Sequence, residues 1–210
     1  MDTIENYILS HITPEDDYLH QLYRATNLKL LRPRMASGHI QGSLLRMLTA
    51  LIKPEYVLEI GTFSGYSTLC IASALNLGSK IITYEINDEQ EEFTRPWFEN
   101  SPYANKIEFI IGDAVKLLPK SSKTFQMAFI DGNKRDYQTY YELIFPKMSL
   151  GSLIIFDNTL WNNRVADSKH NDAQTQGVRA FNDLVAADRR VESLIIPMRD
   201  GLTLLRKVKN

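Results

Sequence analysis

The spacing of apolar positions changes character near residue 56. Upstream, apolar side chains recur at helical intervals. Leu19, Leu22 and Tyr23 form one stripe, and Ile40, Leu44, Leu45, Leu48, Leu51 and Ile52 a second, closed by Pro54. Pro14-Glu15-Asp16-Asp17 reads as a helix opening, because acids are stabilised near the positive end of the helix dipole. Arg32 to His39, with Pro33, Ser37 and Gly38, reads as the loop between the helices. Downstream, short apolar runs alternate with amphipathic segments. They predict strands over 56–60, 81–84, 107–111, 127–130 and 153–156, and helices over 66–75, 88–100, 136–146 and 173–187. The strands alternate poorly, as parallel strands do when both faces of their sheet are covered. Two last runs, 191–196 and 202–208, flank Arg199-Asp200-Gly201 and predict an antiparallel hairpin. There is no repeat, low-complexity tract or linker. The expected fold is one doubly wound α/β domain over 1–210, with a helical N-terminal part over 1–52.

Polar chemistry gathers where these strands end. The first runs Leu58-Glu59-Ile60 into the glycine turn Gly61-Thr62-Phe63-Ser64-Gly65-Tyr66-Ser67, and the second ends in Glu85. In an open α/β sheet ligands bind beyond the strand carboxyl ends, and an acid at the second tip can accept hydrogen bonds from ribose hydroxyls. Gly61 and Gly65 do not make the G-x-G-x-x-G needed to seat a pyrophosphate on a helix N-terminus. Their spacing suits a nucleoside without phosphates, so an adenosine cofactor such as S-adenosylmethionine is expected rather than a dinucleotide.

The later tips continue the pattern with Gly112-Asp113-Ala114, Asp131-Gly132-Asn133-Lys134 and Asp157-Asn158. One acid at a tip is accounted for by helix capping. Acids at five successive tips are not. Asp131, Asp157 and Asn158 make an all-oxygen set of the kind that hard cations such as Mg²⁺ or Ca²⁺ choose, although Asp-Asn also suits a plain turn. No Cys or His stands nearby at zinc spacing. Lys134 reads either as an exposed loop lysine or, near a cation and desolvated, as a general base.

Composition narrows the partners. A net charge of −1 argues against nucleic acid or an anionic membrane surface, and 44% hydrophobic with 23% charged residues is ordinary for a soluble protein. The single Cys70 excludes an intramolecular disulfide and fits a reducing compartment. Met1-Asp2-Thr3-Ile4-Glu5-Asn6 lacks a signal-peptide pattern, and no run approaches the roughly 20 apolar residues of a membrane span. A cytoplasmic protein with a small-molecule partner is expected.

Taken together, the run Leu58 to Ser67 resembles the cofactor motif of the cation-dependent class I O-methyltransferases, the group of the catechol and plant caffeoyl-coenzyme A enzymes. Gly112-Asp113-Ala114, Ile130-Asp131-Gly132-Asn133-Lys134-Arg135-Asp136-Tyr137, Phe156-Asp157-Asn158-Thr159-Leu160-Trp161 and Asp200-Gly201-Leu202-Thr203-Leu204 follow in the family's order, from about Met35 to the end. The resemblance implies a Rossmann-like methyltransferase fold, a seven-stranded, mostly parallel sheet with its last strand antiparallel. It places Glu59, Gly61, Thr62, Gly65, Tyr66 and Ser67 at the cofactor, with Met35 and Ser37 on the entrance loop. Glu85 is assigned to the ribose, and Asp113 with Ala114 to the adenine. It makes Asp131, Asp157 and Asn158 ligands of a divalent cation (Mg²⁺, or Mn²⁺ or Ca²⁺), with Asp131 also beside the cofactor, and Lys134 the base. The implied reaction is methyl transfer to one hydroxyl of a vicinal dihydroxyaromatic, and the implied assembly a homodimer. Asp131-Gly132-Asn133-Lys134 departs from the family's frequent Asp-Ala-Asp-Lys, keeping ligand and lysine. Trp161 and Arg164 are candidates for the acceptor pocket, with Trp161 equally suited to anchoring its loop. His39 has no partner legible in the sequence. Rival readings are a silent cofactor-binding protein, an NAD-dependent oxidoreductase, and a serine hydrolase using Ser64. The last lacks the G-x-S-x-G elbow.

Overall fold

The computed structural model describes residues 3–210, so Met1 and Asp2, part of the helical N-terminal reading, lie outside the described residues. In chain order the elements are α1 (Thr3–His11), α2 (Asp17–Lys29), α3 (Gly38–Ile52), β1 (Tyr56–Ile60), α4 (Tyr66–Ala74), β2 (Lys80–Glu85), α5 (Gln90–Glu99), β3 (Ile107–Ile111) and α6 (Ala114–Leu117). They continue with β4 (Phe125–Ile130), α7 (Tyr137–Ile144), β5 (Met148–Asp157), α8 (Ala173–Ala187), β6 (Val191–Ile196) and β7 (Leu202–Lys207). The opening predicted at Pro14–Asp17 resolves into a cap. Asp16 accepts hydrogen bonds from Tyr18 N and Leu19 N at the head of α2, a device that contributes about 1 kcal/mol.

The strands form one seven-stranded sheet in the order β3-β2-β1-β4-β5-β7-β6. β7 runs antiparallel to both of its neighbours, and the other pairings are parallel. The strand order reverses between β1 and β4, the switch point at which such sheets open a crevice.

Alternate side chains of each strand enter opposite cores. Leu58, Ile82, Ala128 and Ile154 pack toward Tyr137 and Tyr141 of α7 and Phe181 of α8. Val57, Ile81, Met127 and Ile155 pack toward Leu45 of α3 and Ile71 of α4. Each fully buried Val, Leu, Ile, Met or Phe among them contributes roughly 1.5–3 kcal/mol. The second stripe of the N-terminal region therefore covers the sheet. α2 packs outside it, with Leu22 on Tyr66, Leu69 and Cys70, and α1 buries none of its residues. α3 and α4 approach closely at Gly42, where a Cβ would stand 2.6 Å from Cys70 Sγ.

β5 is longer than the apolar run suggested. It begins at Met148, and its pairing with β4 shifts register between Phe125 and Met127. Gly151, at φ 82°, sits in the polar stretch that hides this first half from a hydrophobicity reading.

Candidate active site

The sheet ladder extends to the strand tips and holds them in place. Gly61 N donates to the Tyr84 carbonyl (2.9 Å), Asp131 N to the Ile60 carbonyl (2.8 Å) and Gly112 N to the Glu85 carbonyl (2.7 Å). Gly61 is required where it stands. Its φ is 97°, and a Cβ there would collide with the Asp131 carbonyl oxygen. Above these tips opens a crevice of about 940 Å³, lined among others by Met35, Gly61, Glu85, Asp113, Ala114 and Asp131. Glu85 is aimed by two backbone donors, Phe63 N (2.8 Å) and Asn87 N (2.9 Å). Asp113 accepts from Val115 N at 2.9 Å.

The other candidate cofactor residues do not line this crevice. Glu59 is fully buried and accepts from Ser67 Oγ (2.6 Å), Thr68 Oγ1 (2.5 Å) and Thr83 Oγ1 (2.6 Å). Thr62 Oγ1 joins Thr83 Oγ1 at 2.6 Å. Burial pushes the Glu59 carboxyl up to about 7, against the three hydroxyl bonds that favour its ionised form. Gly65, at φ 82°, caps α4. Tyr66 points into the α2–α4 core, its hydroxyl bonded to Glu15 and its ring edge-on to Tyr23. Ser37 is buried and offers its carbonyl to Arg199.

At the ends of β4 and β5 the ligand candidates and the lysine come together. Lys134 is 6% exposed, which removes the exposed-loop alternative. Its Nζ donates to Asp131 Oδ1 and to the Tyr137 hydroxyl, both at 2.6 Å. Tyr137 passes its own proton toward the Asp157 carbonyl, also at 2.6 Å. Asp157 is 2% exposed, and its carboxylate accepts from Gln41 Nε2 (2.8 Å) and Asn158 N (2.7 Å). Burial and then the neighbouring Asp131 charge push the Asp157 carboxyl up to about 6, opposed by Gln41, Lys134 and Arg199. Asp131 and Asp157 repel one another electrostatically and Asn158 follows in the chain, oxygen donors of the kind a hard divalent cation takes.

Beyond Asn158, which is left-handed at φ 54°, the chain runs through three consecutive left-handed residues, Trp161, Asn162 and Asn163. Such conformations persist only where the surroundings impose them. The Trp161 indole N–H is buried without an acceptor among the described residues. Arg164 faces Asp172 at 3.9 Å, both side chains half-exposed, and neither Trp161 nor Arg164 lines the crevice. His39 does have a partner, with Nε2 bonded to the Thr13 carbonyl at 2.8 Å. Ser64 is 1% exposed with no partner on its hydroxyl, an environment that does not present a nucleophile.

The O-methyltransferase family model matches residues 9–208. The chain belongs to the O-methyltransferase family. It is 33% identical to caffeoyl-CoA O-methyltransferase 5 of Nicotiana tabacum, covering 99% of this chain and 92% of that protein. It is 34% identical to caffeoyl-CoA O-methyltransferase 1 of Zea mays, covering 99% and 86%. The fold is shared with the O-methyltransferase TomG from Streptomyces achromogenes, solved in complex with SAM, at TM-score 0.91 and 29% identity, over 99% of this chain and 96% of that one. It is shared equally with the Bacillus cereus O-methyltransferase solved with SAH, at TM-score 0.90 and 26% identity, over 97% and 96%.

Several residues of the crevice and of the junction beside it carried no role in the sequence. Leu30, Leu31, Arg32 and Tyr140 line the crevice. Tyr137 stood in a quoted motif without a role. Gln41 carried a signal that was available, a polar residue beside the apolar stripe of α3. Among the described residues, no helix is long and apolar enough to cross a membrane.

Proposed function

We propose that this methyltransferase uses S-adenosylmethionine and a divalent cation to methylate one hydroxyl of a vicinal dihydroxyaromatic. The observation that carries the reading is the junction in which Lys134 bonds Asp131 and Tyr137, and Tyr137 bonds the Asp157 carbonyl, with Asp131 alone of the four lining the crevice. Glu85 would take the ribose hydroxyls on the lone pairs left by its two backbone donors, and Asp113 with Ala114 would face the adenine. Gly61 lets backbone approach the methionine end, while Glu59, Ser67 and Thr62 hold the turn from behind.

Asp131, Asp157 and Asn158 would hold the cation. When bound, it supplies a Lewis acid that lowers the pKa of a chelated hydroxyl. Lys134 Nζ would take the hydroxyl proton from its neutral amine form, after releasing the ammonium proton it shares with Asp131, and Tyr137 and Asp131 hold that nitrogen in position. What remains is to keep the oxygen in line with the methyl group, and orientation of this kind reaches effective molarities of about 10⁵–10⁸ M. The N-terminal helices are read as a dimer surface, supported by α1, which buries none of its residues and leaves Ile4 and Tyr7 exposed.

The test is methyl transfer from S-adenosylmethionine to a small catechol panel, with Mg²⁺, without it and with chelator. Transfer that chelator abolishes and Mg²⁺ restores is the expected result. Transfer indifferent to chelator would remove the cation from the reading, and cofactor binding without transfer to any catechol would remove the acceptor class.

A further inference from the structure

The turn between β6 and β7 touches two segments that border the site. On one side Leu160 N donates to the Asp200 carbonyl (2.8 Å) and Thr159 N to the Gly201 carbonyl (3.0 Å), with Asn162 N on the Asp200 carboxylate. These bonds tie the turn to the chain just after Asp157 and Asn158. On the other side Arg199 reaches the entrance segment. Its Nη1 donates to the Ser37 carbonyl, and its Nη2 to the Arg34 carbonyl at 3.0 Å.

The same Nη1 also donates to Gln41 Oε1 at 2.9 Å, and Gln41 Nε2 donates to Asp157 Oδ2 at 2.8 Å. Gln41 is fully buried, so its orientation matters. An amide can turn either its oxygen or its NH₂ toward a carboxylate, and only the NH₂ attracts it. The guanidinium has donors only. By taking the amide oxygen it leaves the NH₂ for Asp157. Arg199 is itself held at φ 51°, an uncommon conformation for a residue with a side chain.

We infer that Arg199 and Gln41 are positioning residues, coupling the placement of segment 34–37 to the orientation of the Asp157 carboxylate. The inference rests on the reading of Asp157 as a cation ligand. Residues that orient a metal ligand typically contribute 10–100-fold in metal affinity.

The experiment is a double-mutant cycle on Arg199→Ala and Gln41→Leu. Mg²⁺ affinity is measured by titration calorimetry, and exchange of the Met35 and Ala36 amides by hydrogen–deuterium exchange. Each single variant is expected to weaken Mg²⁺ binding about 10-fold. The double variant is expected to be no weaker than the worse single one, because Arg199 acts through Gln41; independent structural damage would add. Exchange at Met35 and Ala36 should quicken in Arg199→Ala. Should Gln41→Leu not fold, Arg199→Lys replaces it, keeping the charge but losing the fork that bridges three acceptors, and the loss of affinity should persist. Unchanged Mg²⁺ affinity, or faster exchange without weaker binding, overturns the coupling. A wild-type protein that binds no Mg²⁺ overturns the cation reading, and the inference with it.

Discussion

Two buried carboxylates, Glu59 on β1 and Asp157 at the end of β5, stand on strands separated by β4 and have different surroundings, and the difference separates scaffold from chemistry. Glu59 is enclosed by three neutral hydroxyls, from Ser67 and Thr68 of α4 and Thr83 of β2. Asp157 is held by an amide and a backbone N–H, with Asp131, Lys134 and Arg199 acting on it electrostatically. Both acids are pushed up by burial, Glu59 to about 7 and Asp157 to about 6. Glu59 spends its hydrogen-bonding capacity on stitching the glycine turn to the sheet. Asp157 sits at a concentration of charge that an added cation changes.

Removing each acid should expose the contrast. Asp157→Ala is expected to cost the largest factor in activity, about 10³-fold or more in metal-dependent kcat, because several kcal/mol of Lewis-acid stabilisation go with the ligand. Full activity without added metal would break the comparison at its stronger end. Lys134→Ala should lower kcat by about 10²–10⁴-fold while leaving the Kd for S-adenosylmethionine within a few-fold, as removal of a general base does. Steady-state kinetics beside a cofactor titration reads both numbers, and an unchanged kcat would take the base away from Lys134.

Glu59→Ala should act on stability instead. Three buried hydroxyls lose their acceptor, a loss of about 2–4 kcal/mol. The thermal midpoint should fall by roughly 5–15 °C, with residual activity at low temperature. A variant as stable as the wild type would contradict the scaffold role.

The smallest expected effect is in pH. The folded protein holds the Glu59 proton more tightly than the unfolded chain, with a folded pKa of about 7 against an ordinary 4.5. Between those values the native state binds more protons, so stability falls as pH rises from 4.5 toward 7 and this contribution is constant above. The total is about 3 kcal/mol. Glu59→Gln should flatten that limb in denaturant titrations at several pH values. The same slope in the variant would assign the pH dependence to other groups.

The periodic parts of the fold were legible before any coordinates. Strands such as Tyr56–Ile60 and Phe125–Ile130 are apolar runs bounded by turn residues, and burial of such runs is a local demand that the residue types announce. The first half of β5 was not legible, because Ser149-Leu150-Gly151 is not an apolar run and of this half only Met148 has a partner on β4, Phe125, before the register shifts. The site divides along the same line. An acid at each of five strand tips could be read from spacing, but whether that acid faces the crevice or the core could not. Glu59 and Glu85 look alike as terminal acids, yet Glu85 lines the crevice and Glu59 is sealed beneath it.

By itself the sequence determined the alternation of strands and helices, the family, and the oxygen chemistry at the strand ends. Each of these is written in residue type at short range, where propensity and burial act. Tertiary structure alone decided which acid serves the fold and which the site, that Lys134 is buried against Tyr137, and that Arg199 reaches Gln41 across 158 residues of chain. Those outcomes depend on groups brought within hydrogen-bond distance by the packing of distant segments, and hydrogen bonds act only over such distances.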